Sequence, residues 1–382
     1  MVKFTARRGK SELVAPARAT PNERKYLSDI DNQHSLRFYA TAVEFFQLCT
    51  FDGYKPHDPV KAIRSALAEA LVTRLKCGGF VIGLHMCHNI SDGFGMAHFI
   101  KAVGDIARGE ALLTISPLWN REMLTMCYPP QITHTHLAYE PLRDGDPTND
   151  IMQSTTPDTM VGQYFLFGPR EISAMRNHVP VHLRQSYTTF ELIAAAVWKC
   201  RTAALGYSLD QHVRLMFTLN SRGNWKRNPP IPQGYYGCCL VFPVAETTVA
   251  DLCGNPLGYA LDLVRKAKLE VTDEYVKSTV DFLASRKWPS LVVDRTYIVS
   301  DITSVGDDKL DFGWGKRMGG GIPMAGDIMS RLISYFTKCK NADGEDCIVV
   351  PMYLPSITMD RFAAEISVWS MKQGSKFIVS AL

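Results

Sequence analysis

The chain has no two cysteines at C-x-x-C spacing, no basic run longer than a few residues and no apolar stretch of the length that spans a bilayer. Each absence excludes something. The ten cysteines lie mostly far apart, and the one adjacent pair, Cys238-Cys239, has a geometry that disfavours a simple disulfide framework. Reduced thiols in a cytosol are the default. With 42 Lys and Arg against 38 Asp and Glu, the net charge of +4 is too small and too evenly spread to imply nucleic acid or a membrane surface as partner. The segment from Met1 to Lys10 lacks the apolar core of a signal peptide, so a soluble, cytoplasmic protein is expected. Repeats and low-complexity tracts are also missing.

At 382 residues and 46% hydrophobic, the chain is long enough for two domains with substantial cores. Asp58-Pro59, followed by Val60, Ile63, Leu67, Ala70 and Leu71, spells a capped amphipathic helix with one buried face. Directly after it, Val72 to Lys76, Cys77-Gly78-Gly79 and Phe80 to His85 predict a strand, a tight turn and a second strand. Met96 to Ala107 is helical in pattern. From Pro117 to about Asp158 the chain fills with Pro, Thr, His and Asp and loses periodicity, which marks a linker; His134 and His136 within it read as a solvated loop. A strand at Gln163 to Phe167 follows. Thr188-Thr189-Phe190-Glu191 is a capping box before the helix Leu192 to Arg201, whose small residues suit close packing on a sheet. Further strands are expected at Val213 to Asn220, Cys239 to Val244 and Thr296 to Ser300. Because strands and helices mix without strict alternation, the fold class is α+β rather than a doubly wound parallel sheet.

Two motifs carry the chemistry. An apolar strand-like run ends in His88-Asn89-Ile90-Ser91-Asp92-Gly93, an H-x-x-x-D-G, and strand ends that present an imidazole are common sites of general-base chemistry. Ten histidines and ordinary aspartate usage give about 0.6 chance occurrences of H-x-x-x-D, and about 0.04 once the glycine is required. The second motif, Asp311-Phe312-Gly313-Trp314-Gly315, lies over two hundred residues downstream and shares neither composition nor period with the first. His85, Cys87 and His88 raise the question of a metal. Alternation along a strand puts His88 on the face opposite the other two, with no acidic ligand near, so no metal is implied.

Together the motifs resemble those of the plant BAHD family of CoA-dependent acyltransferases, and the resemblance runs through nearly the whole chain. Leu13-Val14, Pro21, Glu23 and Leu27 to Gln33 look like the opening of the branch holding alcohol acyltransferases and benzyl alcohol benzoyltransferases. Thr189 to Arg201, Asn220-Ser221-Arg222-Gly223, Gly234-Tyr235-Tyr236-Gly237 and Tyr297 to Asp301 also match. The resemblance implies two similar sheet-and-helix domains, chloramphenicol-acetyltransferase-like, facing each other across a solvent channel. These would be an N-terminal domain over 1–118 completed by about 315–338, a crossover at 119–158 and a C-terminal domain over 159–382. It further implies transfer of an acyl group from acyl-CoA, as co-substrate, to the hydroxyl of a small alcohol or to an amine, in a monomer with no bound cofactor.

His88 is the implied general base, because an alcohol is too weakly acidic to attack a thioester unless an imidazole takes its proton. Two substrates meeting in one complex need no covalent nucleophile, and no G-x-S-x-G elbow is present. Asp92 and Asp311 complete the implied catalytic set. Asp92 would turn away from the reacting centre to pair with an arginine, for which Arg222 is the candidate, and Asp311 would anchor a turn. Gly93 would allow a sharp bend, while Phe312, Gly313, Trp314 and Gly315 would support the site from the CoA side of the channel. Tyr235 and Tyr236 read equally as packing or as substrate contacts.

The chain departs from the family at one place. Members carry a Tyr-Pro-Leu-Ala-Gly-Arg-like strand and several tens of residues between the helix ending near Leu71 and the hairpin, whereas here Leu71-Val72 joins Thr73-Arg74 directly. Loss of that block leaves unpaired sheet edges and widens the channel wall near His88, which weakens electrostatic stabilisation there. Three readings follow: an alcohol acyltransferase, a hydroxycinnamoyl-CoA transferase, and a catalytically impaired remnant that binds CoA or a full-length relative.

Overall fold

The computed structural model describes residues 24–48, 71–74, 79–144, 150–223, 228–306, 310–313, 315–323, 331–341 and 343–369. The amphipathic helix expected before Leu71 lies outside them, as does Trp314. The strands are β1 (Tyr39–Leu48), β2 (Leu71–Arg74), β3 (Phe80–Cys87), β4 (Met160–Phe167), β5 (His212–Phe217), β6 (Leu219–Asn220), β7 (Leu240–Val241), β8 (Val244–Thr248), β9 (Thr296–Asp301), β10 (Gly315–Gly321), β11 (Ile333–Lys340) and β12 (Asp346–Pro355). One sheet runs β10-β1-β3-β2 and a second β4-β12-β11-β9-β5-β8, with β6 and β7 forming a short ribbon. The first sheet is antiparallel throughout. In the second, β9 lies parallel to both β5 and β11.

The longer helices are α1 (Gly93–Ala107), α2 (Pro169–Asn177), α3 (Thr189–Leu205), α4 (Leu257–Leu269), α5 (Asp273–Ser285) and α6 (Ser356–Ser367). The capping box forms at α3: Thr188 Oγ1 accepts from Glu191 N at 3.3 Å and Glu191 Oε2 accepts from Thr188 N at 2.7 Å. Leu192 to Trp198 are all buried, and the alanines let α3 pack between the second sheet, α4 and α6 in the larger core. The first sheet has a core of its own. Phe46 and Phe80 stack at 4.8 Å, Phe312 meets Phe46 edge-on at 5.2 Å, and Met96, Ile100 and Val103 of α1 cover them.

The chain crosses between the sheets late. β10 pairs with β1, so residues 315–321 belong to the first sheet although their neighbours in sequence belong to the second. The exchanged stretch is shorter than the expected 315–338, because β11 pairs with β9 and sends Phe336 into the second core. Other boundaries move by a few residues: the hairpin strand begins at Leu71 rather than Val72, and α1 begins at Gly93 rather than Met96 because Asp92 caps it.

The described residues of 117–158 form short helical turns and one isolated bridge, Leu118 to Tyr235, yet they are pinned. Asp281 of α5 accepts from Cys127 N and Gln131 N at 2.8 and 2.7 Å, and fully buried Arg214 donates to the carbonyls of Leu137, Glu140 and Pro141. His136, expected in a solvated loop, is 1% exposed. Its ring packs on Tyr275 and Phe282, and Nε2 lies 3.0 Å from Ser278 Oγ, because α5 offers an apolar seat that a neutral imidazole fills.

Burial, helped by His134, lowers the His136 pKa to about 4. The unfolded chain, with an ordinary value near 6.5, therefore binds the proton first as the pH falls. The stability contribution is full above about pH 6.5 and is lost between there and about 4, by up to about 3 kcal/mol. Urea midpoints at pH 7 and 4.5 should diverge in the native chain, and His136→Gln should remove that part of the divergence.

Candidate functional site

β3 delivers the first motif. His88 follows its last residue, donates its backbone N–H to Phe38 O at 2.8 Å and lays its ring on Phe38 with centroids 5.0 Å apart. Four residues on, Asp92 caps α1, with Oδ1 accepting from Gly95 N at 3.0 Å. Its carboxylate is fully buried and takes three further hydrogen bonds: Arg222 Nη1 to Oδ2 at 2.7 Å, Arg222 Nη2 to Oδ1 at 3.1 Å and Cys239 N to Oδ2 at 3.0 Å. Arg222 also donates to Gly237 O at 2.6 Å and Asn220 Oδ1 at 3.2 Å. Sequence reasoning named Asp92 and Arg222 as partners, and the structure brings them together. Burial alone would raise the Asp92 pKa, but the guanidinium and the N–H donors outweigh it and hold the carboxyl below the usual range. At His88, burial pushes the imidazole below its ordinary value against the pull of Asp92, which keeps it neutral near pH 7.

Gly93, named for a sharp bend, is instead the first helical residue, and a Cβ there would meet Val305 only at ordinary contact distance, 3.5 Å. The glycine the loop requires is Gly95, where a Cβ would come within 2.0 Å of Tyr236 O and 2.3 Å of Ser91 Oγ. Only Gly lets the start of α1 lie this close to the Tyr236 loop.

His88 borders two cavities. The first, of about 900 Å³ including its open mouth, lies between β1 and α1 on one side and Thr218, Asn220, Ser300 and Asp301 on the other. The second, of about 790 Å³ with its open mouth included, is walled by Leu36, Phe38, Phe242, Leu291, Val293 and Ile298. His88, Thr218, Leu240, Ser300 and Tyr335 line both, so the imidazole stands where the cavities meet, between the sheets.

Asp311 lines neither cavity. It is exposed, its carboxylate accepts from Gly313 N at 2.8 Å, and its carbonyl receives Arg108 Nη1 at the end of α1. Since a 15-residue helix rises about 22 Å, the second motif grips the far end of the helix whose near end holds Asp92. Asp311 therefore stands away from the reacting centre, Phe312 fills the core against Phe46 and Phe80, and Gly313 adopts φ +80°, which favours glycine. Gly315 opens β10 opposite Leu48.

A second buried pair went unseen in the sequence. Asp31 Oδ2 lies 3.1 Å from Arg121 Nε, Arg121 Nη2 donates to Ile90 O at 2.8 Å within the His88 loop, and the guanidinium stacks among Trp119, Tyr235 and Tyr236. Tyr235 is thus packing, fully buried. Nothing local marks Asp31, which stands in the polar stretch Leu27 to Gln33. Among the described residues no group of three or more His, Cys, Asp or Glu could hold a metal ion, and no helix is long and apolar enough to cross a membrane.

Two sheets facing each other, with cavities meeting between them, are the architecture of the chloramphenicol-acetyltransferase-like acyltransferases. The chain matches the Transferase family over residues 56–368 and belongs to it, the BAHD acyltransferases. Acyl transferase 1 of Oryza sativa subsp. japonica is 40% identical over 481 aligned positions covering 98% of each chain. Benzyl alcohol O-benzoyltransferase of Nicotiana tabacum is 38% identical across 95% of this chain and 93% of its own. Vinorine synthase shares the fold with a TM-score of 0.69 at 16% identity, covering 94% of this chain and 97% of that one. TRI101 of F. sporotrichioides, solved with coenzyme A and T-2, gives 0.66 at 14%, over 88% and 96%. An alignment of 481 positions on 382 residues leaves about a hundred positions of the Oryza protein without a counterpart, and coverage near both ends makes that shortfall internal.

Asp92→Ala strands Arg222 as a buried unpaired cation. A loss of about 3–5 kcal/mol is expected by urea denaturation, with part regained when Arg222→Leu is added.

Proposed function

We propose that this protein transfers an acyl group from acyl-CoA to the hydroxyl of a small alcohol, giving an ester and free CoA, with His88 as the general base. The observation that carries this is an imidazole of lowered pKa bordering two cavities at once, which leaves room for a substrate on either side. The alcohol proton passes to His88 as its oxygen attacks the thioester carbonyl. The tetrahedral intermediate collapses, the C–S bond breaks, and the imidazolium returns the proton to the leaving thiolate. Ser300 Oγ accepts from Thr218 Oγ1 at 3.0 Å and keeps its own proton to offer the oxyanion.

If the acceptor occupies the second cavity, an alcohol suits it better than an amine does. One relative, 38% identical, is named Spermidine hydroxycinnamoyltransferase 1. A polyamine's charges call for carboxylates, and that cavity's described lining holds none. The family membership, the buried Asp92–Arg222 pair and the cavities on either side of His88 favour a working enzyme over the remnant reading. We place it in the cytoplasm as a monomer, with acyl-CoA as co-substrate and no resident cofactor.

Purified protein given acetyl-, benzoyl- and p-coumaroyl-CoA with benzyl, hexenyl and aliphatic alcohols should release thiol and form ester. His88→Ala should lower turnover about 100- to 10,000-fold. Because the His88 pKa is depressed, the acid limb of kcat/KM should fall below the ordinary histidine value of 6.5. No ester from the folded native chain returns the remnant reading. Inserting the family-typical block after Leu71 should raise turnover, and equal rates would remove the weakened-wall argument.

A further inference from the structure

We propose that Cys238 is a positioning residue for His88: its thiol, lodged between the histidine's carbonyl and its ring, sets which imidazole nitrogen carries the proton. The inference rests on reading His88 as the base. Cys238 Sγ lies 2.9 Å from His88 O, to which it donates, and 3.6 Å from His88 Nδ1. A thiol has one proton to give. With that proton committed to the carbonyl, the sulfur presents only lone pairs to Nδ1, which favours the tautomer in which Nδ1 donates. A neutral imidazole carries a single N–H, so Nε2 is left bare to receive the substrate's proton.

The backbone around Cys238 is held so that the sulfur cannot drift. Its N–H donates to Asp31 Oδ1 at 2.8 Å, the preceding Gly237 O receives Arg222 at 2.6 Å, and the following Cys239 N–H donates to Asp92 at 3.0 Å. Both buried carboxylates of the site therefore aim this one side chain. Cys238 is fully buried and lines neither cavity, so it meets no substrate and acts only through His88. Burial pushes its thiol well above the ordinary cysteine value, which keeps the donor protonated across the working pH range.

The histidine's own backbone also hydrogen-bonds its ring, so the question is whether the tautomer survives loss of the thiol. The test uses the full-length chain labelled with 15N-histidine, with His88→Ala assigning the signal. Long-range proton–nitrogen correlations should show Nδ1–H in the native protein, a mixture of tautomers in Cys238→Ala and recovery in Cys238→Ser. In ester formation, Cys238→Ala should lose about tenfold in kcat with both KM values within twofold and with the acid limb shifted, while Cys238→Ser stays within about threefold of native. An unchanged tautomer in a folded Cys238→Ala overturns the proposal. So does equal loss in both variants through raised KM, which is the mark of packing. The tautomer readout needs no turnover: a shifted tautomer in a chain that makes no ester leaves the positioning intact and sinks the base reading instead.

Discussion

The buried ion pair between Asp92 and Arg222 is the constraint on which the site is built. Taking two charges out of water is costly, and such a pair rarely adds net stability over an apolar substitute. What it supplies is geometry. Asp92 is the cap of the helix that covers the first sheet, and Arg222 follows the short ribbon beside the second, so one bidentate contact fixes how the two halves meet. Every oxygen lone pair it uses is answered by an N–H, which allows the charge to persist in the interior. His88 sits four residues before the carboxylate and falls between the sheets as a consequence.

The second motif acts on the same object from the other end. Arg108 closes α1 and reaches the carbonyl of Asp311, while Phe312 completes the aromatic cluster beneath the helix. A rigid helix gripped at both termini transmits placement without chemistry at its far end. The Asp31–Arg121 pair adds a third tether, holding the histidine loop at Ile90 and the facing loop at Cys238. These three tethers join stretches that are far apart in sequence.

That distance decides what could be read beforehand. The histidine motif, the capping box of α3 and most strands are local patterns, and they were legible as such. Arg222 could be named only because a family pattern pointed to it. Arg121 and Cys238 could not, since the partners that give them meaning, Asp31 and His88, lie 90 and 150 positions away. Gly93 was named and Gly95 was not, because a motif shows its own glycine and not the one another loop presses against. His136 was misread for a related reason: a polar, proline-rich stretch looks solvated until a helix more than a hundred residues on supplies its seat.

The late return of β10 to the first sheet has a consequence for how the protein is made. Val43 pairs with Gly321, about 280 residues further along, so on the ribosome the first sheet waits for its closing strand while nearly the whole second half is synthesised. At roughly 5–20 residues per second, that interval lasts roughly 15 to 55 s. Throughout it, the edge of β1 is open to any other strand, and Phe46 and Phe80 lack the covering ring of Phe312. The first half is not a separable module: a chain stopped at the crossover would release a sheet without its β10 edge.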